Sequence, residues 1–202
     1  MVQGEIHLIS DGKLPLRDFI EKMTVLHPLA DYIHLREKHL SARELLSVGE
    51  QLLLAGIPAA KLFINDRIDV AVTLGAGGVQ LAWHSLRPAA ARVLGPRLRL
   101  GCSVHSSEEA SEAARQGADY CLFGHVYDTA SKPGQRGCGL ELLADVVRNS
   151  AIPVIAIGGI KPSNVARVME QGAAGIAVMS GICGAEDPVT AMNAYRTAMQ
   201  RR

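Results

Sequence analysis

Aromatic side chains are scarce in this sequence: Phe, Trp and Tyr make up 4% of its 202 residues. The core must then be packed from Leu, Ile, Val and Ala, which suits strands covered by helices. Charge of one sign never gathers either. The 21 Lys and Arg are interspersed with 20 Asp and Glu, for a formal net charge of +1. Without a basic block there is no electrostatic footprint for a nucleic-acid backbone or an anionic membrane surface. No apolar run approaches the roughly 18 residues that a membrane span requires. The start, Met1-Val2-Gln3-Gly4-Glu5-Ile6-His7, lacks the basic and apolar regions of a signal peptide. These absences place the chain in the cytoplasm, with neither nucleic acid nor membrane as a partner. Cysteine is limited to Cys102, Cys121, Cys138 and Cys183, with no C-x-x-C pair and no short His spacing to complete a zinc site. Cys102 and Cys121 lie in apolar runs and read as small buried hydrophobes, whereas Cys138 and Cys183 read as loop residues.

What is present is an alternation that runs from end to end. Candidate strands are Ile6–Ile9, Tyr32–Leu35, Lys61–Ile64, Gly78–Leu81, Leu98–Cys102, Tyr120–Phe123, Val154–Ile157 and Gly175–Val178. Between and after them, Leu16–Leu26, Ala42–Leu54, Ile68–Leu74, Leu86–Leu94, Ser107–Gln116, Leu140–Val147, Asn164–Gln171 and Pro188–Met199 carry apolar residues three and four apart. Ser106-x-x-Glu109 reads as a capping box that opens the fifth helix. Glycine turns such as Gly75-Ala76-Gly77-Gly78 and Gly172-Ala173-Ala174-Gly175 close helices just before the next strand. Strands separated by helices pair in parallel. Eight such pairs in one domain spanning residues 1–202 predict an α/β fold of the closed (β/α)8 TIM-barrel class, with an open doubly wound sheet as the alternative.

In a barrel of this kind the chemistry sits at the C-terminal ends of the strands. The residues just after the seventh and eighth strands, Gly158-Gly159-Ile160 and Ser180-Gly181-Ile182, are the most legible. Glycine lets backbone N–H groups approach a ligand, and those two loops are the usual phosphate cradle of this fold. Arg36, Lys38 and Lys132 are cations placed to meet an anionic substrate at the same mouth. His125, directly after the sixth strand, can take and give a proton near neutral pH, or can be a hydrogen-bonded group of the rim. His84 and His105 also follow strands, while His7, His27, His34 and His39 read as structural or surface groups. The turn-rich stretch Thr129–Gly139 reads as a lid.

Several strand-end segments, taken in order, resemble the thiamine phosphate synthase superfamily over nearly the whole chain. They are His34-Leu35-Arg36-Glu37-Lys38, Leu62-Phe63-Ile64-Asn65-Asp66-Arg67, Gly101-Cys102-Ser103-Val104-His105-Ser106, Ala118-Asp119-Tyr120, Ile152–Ile160 and Gly175–Ile182. Within the superfamily the sequence resembles the TenI-type thiazole tautomerases. Gly124-His125-Val126-Tyr127-Asp128-Thr129 carries histidine where synthases carry proline, and Trp83-His84-Ser85 lacks the magnesium-binding Asp of the synthases. Asn65-Asp66, Ser103 and Lys132 still match synthase positions that meet pyrophosphate or magnesium.

The resemblance implies an isomerase of thiamine biosynthesis that needs neither metal nor cofactor and aromatises a thiazole carboxylate phosphate. His125 would be the catalytic proton shuttle. Arg36 and Lys38 would hold the carboxylate, Gly158, Gly159, Ser180 and Gly181 the phosphate, and Asn65, Ser103 and Lys132 would position the substrate. The partner would be a small phosphorylated thiazole, with a homodimer left open. Two rivals stand beside it. One is the magnesium-dependent synthase, a transferase that joins a pyrimidine pyrophosphate to a thiazole phosphate. The other is a barrel that binds the thiazole phosphate without turnover.

Overall fold

The structure, a computed structural model, describes residues 4–200. The reading of Met1-Val2-Gln3 lies outside them. Eight strands alternate with helices: β1 (Glu5–Ile9), α1 (Leu16–Leu26), β2 (Tyr32–Leu35), α2 (Ala42–Leu54), β3 (Leu62–Asn65), α3 (Ile68–Leu74), β4 (Gly78–Leu81) and α4 (Pro88–Leu94). The second half continues with β5 (Arg99–Val104), α5 (Ser107–Arg115), β6 (Tyr120–Gly124), α6 (Gly139–Asn149), β7 (Val154–Ile157), α7 (Val165–Glu170), β8 (Gly175–Val178), α8 (Ser180–Cys183) and α9 (Pro188–Gln200). All neighbours pair in parallel, and β1 closes on β8 through registers such as His7 with Ala177, so the expected (β/α)8 barrel is the fold. No helix among the described residues is long and apolar enough to cross a membrane.

Local chemistry sets the element ends. Ser41 accepts from Glu44 N while the Glu44 carboxylate accepts from Ser41 N, a complete capping box at the start of α2. The box expected at α5 is only half made. Ser106 accepts from Glu109 N, but the Glu109 carboxylate turns back one residue further and accepts from His105 N at 2.7 Å. Pro88 opens α4, two residues later than expected, because proline fits the first helical turn where no N–H is needed. Strand β5 runs two residues past the expected Cys102, since Ser103 and Val104 still pair with Leu122 and Phe123. Cys183, expected in a loop, ends the short α8 and is buried.

Side chains alternate across each strand, so the barrel has two cores. The larger lies between sheet and helices and is almost wholly aliphatic. The smaller fills the interior with Ile9, Phe63, Tyr120, Leu122, Ile155 and Ala177. Phe63, Tyr120 and the partly buried Tyr32 lie here beside a buried polar network. Arg99 forms a two-armed ion pair with Glu5 and lies 4.7 Å and 4.9 Å over the rings of Tyr32 and Tyr120. His7 Nε2 lies 3.1 Å from the Glu5 carboxylate, and His7 Nδ1 lies 2.8 Å from His34 Nε2. A carboxylate only accepts, so His7 donates from Nε2 and accepts from His34 at Nδ1. Burial pushes the pKa of both imidazoles down, that of His34 well below the ordinary histidine value, so both are held neutral.

Candidate active site at the barrel mouth

Arg36 follows β2 directly. Its backbone N–H donates to Ser10 Oγ at 2.7 Å, which fixes the first residue of the loop. The guanidinium is half-buried, yet among the described residues it has no hydrogen-bond acceptor and no carboxylate within ion-pair distance. Its neighbour Glu37 is buried beneath the loop of Gly12 and gives it only a distant Coulombic attraction. Burial pulls the Arg36 pKa down, the sign of a charge stripped of water without a full partner. Such a charge is costly unless an anion from outside completes it.

The next strands add neutral polar groups. Asn65 ends β3, and Asp66 beyond it adopts φ 67°, a left-handed conformation that short polar side chains tolerate. Asp66 makes no side-chain hydrogen bond among the described residues; His84 Nε2 stands 3.9 Å from its carboxylate. Ser103 on β5 is half-buried and accepts from the buried Gln80 of β4 at 3.1 Å. Asn65 and Gln80 are register partners, and the buried Gln80 reaches Ser103 from below, so the three lie on successive strands.

His125 is joined to Gly124 by a cis peptide. A Cβ on Gly158 would come within 2.2 Å of His125 Cβ, and one on Gly159 within 2.5 Å of Asp128 O. Both glycines adopt positive φ, 102° and 63°. The neighbouring chain therefore demands the glycine pair on packing grounds alone, whatever ligand it meets. Above the ring, His125 Nε2 lies 3.3 Å from Gln135 O, and Cys138 donates from N and Sγ to His125 O, which ties the Thr129–Gly139 loop over this corner. Ser180 and Gly181 open α8. Tyr195 reaches up from α9, donates to Ile160 O at 2.9 Å and fills the space where a Gly181 Cβ would stand. One buried tyrosine thus braces both loops of the expected phosphate cradle.

The structure brings Arg36, Asn65, Ser103, His125, Gly158, Gly159, Ser180 and Gly181 to the C-terminal end of the barrel. Lys38 is exposed and Lys132 sits in the loop over β6; neither makes a contact that ties it to the rest among the described residues. Sequence reasoning passed over Gln80 and Tyr195. A lone polar residue in the apolar run Gly78-Val79-Gln80-Leu81 was the available signal for the first. Nothing in the helical pattern of α9 marked the second. Among the described residues no group of three or more His, Cys, Asp and Glu is arranged to hold a metal ion by itself.

The mouth of this (β/α)8 barrel thus carries a half-buried arginine and two braced glycine loops. The chain belongs to the thiamine monophosphate synthase family, whose model matches residues 6–182. It is 39% identical over 203 residues to a thiamine-phosphate synthase of Roseiflexus castenholzii, covering 95% of this chain and 86% of that one. It is 40% identical over 185 residues to the thiamine-phosphate synthase of Pyrococcus furiosus, covering 91% and 88%. A solved structure of thiamine phosphate pyrophosphorylase from Pyrococcus furiosus superposes with a TM-score of 0.85 at 35% identity, covering 98% of this chain and 96% of that one.

These relatives overturn the isomerase expectation. Proteins 37–43% identical to this chain carry the name thiamine-phosphate synthase, a transferase. The tautomerase assignment rested on His125 and one missing carboxylate. Those are two local departures in a chain that follows the synthases along most of its length.

Proposed function

We propose that this chain is a transferase of the thiamine-phosphate synthase type, which joins a pyrimidine pyrophosphate to a thiazole phosphate at the mouth of the barrel. The supporting observation is the half-buried Arg36 guanidinium, without a partner among the described residues, at a strand end where an anionic substrate would enter. In the reaction the pyrimidine carbon gains a bond to the thiazole nitrogen and loses its bond to pyrophosphate, which leaves with the electron pair. Nothing in that step asks a protein side chain to carry a proton between two substrate carbons. The task is orientation and the stabilisation of charge on the departing pyrophosphate.

Arg36, Lys38 and Lys132 would neutralise that charge, and Asn65 and Ser103 would hydrogen-bond it. The N–H groups of Gly158, Gly159, Ser180 and Gly181 would hold the thiazole phosphate. His125 keeps a place at the site without the shuttle role, as the contact between Gly158 and the loop above it. Magnesium bound here would offset pyrophosphate charge. The residues fit an ion held by one carboxylate and the substrate's own oxygens, the manner in which magnesium is commonly bound. Asp66, whose carboxylate has no hydrogen bond among the described residues, is the side chain that would hold it.

The test is to mix the protein with both substrates and magnesium and to follow the coupled product by chromatography, with and without a chelator. The reading predicts coupled product that disappears with chelator and returns with added magnesium. A folded protein that yields no coupled product from saturating substrates would overturn it.

A further inference from the structure

Gln80 is buried at 2% exposure on β4, inside the barrel, one layer below the mouth. Its amide cannot be turned either way. One end lies 3.3 Å from Leu81 O, which can only accept, so that end is the NH2 group. The other end is then Oε1, and it accepts from Tyr120 OH at 2.7 Å. Burial holds the Tyr120 hydroxyl well above its ordinary pKa, so it remains a donor. The second NH2 hydrogen goes to Ser103 Oγ at 3.1 Å. Ser103 therefore accepts from below, and its own proton is left to point elsewhere. Its half-buried position opens onto the mouth.

The strand between Gln80 and Tyr120 is shaped for this arrangement. Gly101 is the register partner of both residues, Gln80 on β4 and Tyr120 on β6. A Cβ at Gly101 would stand 2.3 Å from Gln80 Oε1 and 2.3 Å from Tyr120 OH. Glycine inside a strand weakens it, and here its missing side chain is the gap through which the Tyr120–Gln80 hydrogen bond passes.

We infer that Gln80 is a positioning residue: held by Tyr120 across Gly101, it keeps Ser103 as an acceptor from below and so presents the Ser103 hydroxyl as a fixed donor to pyrophosphate in the mouth. This rests on the transferase reading for the identity of the anion. The donor direction follows from the hydrogen bonds alone. A donor set in place before charge develops is worth up to roughly 10²–10³-fold where water is excluded. At a half-buried serine about tenfold is the expected scale.

The experiment measures binding of inorganic pyrophosphate with magnesium by calorimetry, and KM for each substrate, for the native protein, Gln80→Met, Ser103→Ala and the double variant. Gln80→Met and Ser103→Ala should each weaken pyrophosphate binding about tenfold and leave KM for thiazole phosphate unchanged. The double variant should be no weaker than Ser103→Ala alone, because Gln80 acts only through Ser103. Additive losses, or native pyrophosphate affinity in Gln80→Met, would overturn the inference. Should Gln80→Met fail to fold, Tyr120→Phe removes one oxygen and frees the amide. It should weaken pyrophosphate binding in the same direction, and native affinity there would equally overturn the inference. Native protein that binds pyrophosphate with the expected cycle but forms no coupled product would sink the transferase reading and leave the role of Gln80 standing. Native protein with no affinity for pyrophosphate would sink both.

Discussion

Acid should unfold this barrel from the inside, through His7 and His34. Both imidazoles are buried, with exposures of 0% and 1%, and both are held neutral in the folded chain by burial. In the unfolded chain each titrates near the ordinary histidine value of about 6.5. A histidine whose folded pKa is depressed binds fewer protons when folded. Stability is then full above the unfolded pKa and falls as pH drops below it, until the folded pKa is reached. Between pH 7.5 and 5.5 one such histidine removes at most about 1.4 kcal/mol, and the pair together at most about 2.7 kcal/mol. The carboxylate of Glu5 acts lower. Burial raises its pKa, but hydrogen bonds from His7 and Arg99 outweigh that and leave it below the usual value. Its contribution is present above the unfolded carboxylate value near 4.3 and is lost as pH falls further, outside this window. The assay is denaturant unfolding at pH 7.5 and 5.5, read at constant m-value. His34→Gln should be less stable at pH 7.5 and lose less between the two pH values than the native protein does. Equal stability of the native protein at both would refute the buried neutral pair, as would an undiminished loss in His34→Gln.

Other perturbations have equally direct readouts. Arg36→Met should raise KM for the pyrimidine pyrophosphate at least about tenfold and leave the unfolding free energy unchanged or higher, because the guanidinium is half-buried without a partner among the described residues. Gly101→Ala should cost about 2–4 kcal/mol in denaturant unfolding, since the new methyl group collides with the Tyr120 ring and displaces the Tyr120–Gln80 hydrogen bond. Tyr195→Phe should cost about 1 kcal/mol and weaken thiazole phosphate binding, because the hydroxyl that holds Ile160 O is gone. The KM for that substrate and the unfolding midpoint check the two effects separately.

The barrel was legible because every strand is an apolar run of four to six residues followed by a helical pattern, from Glu5–Ile9 to Gly175–Val178. Ends were less so. Ser103 looks like the first loop residue in sequence, but in the barrel its side chain is held at the inner wall by Gln80. Glu109 has the spacing of a capping box, yet its reach lets it satisfy His105 N instead of Ser106 N. The strand-end rule brought Arg36, Asn65, Ser103, His125 and the two glycine loops to one mouth. It could not show that Gly158 and Gly159 are already required by the close passage of His125 and Asp128, a contact between residues some thirty positions apart. Nor could it weigh two local departures against similarity along the whole chain, and the choice of chemistry rested on that balance.

The most direct measurement of the central claim is a phosphorus NMR time course of the folded protein with magnesium, pyrimidine pyrophosphate and thiazole phosphate in equal amounts. The account predicts that the esterified pyrophosphate signals decay, that free pyrophosphate appears, and that one thiazole phosphate shifts to the coupled product for each pyrophosphate released. Free pyrophosphate without a coupled product, or no change in any signal at saturating protein, would contradict it.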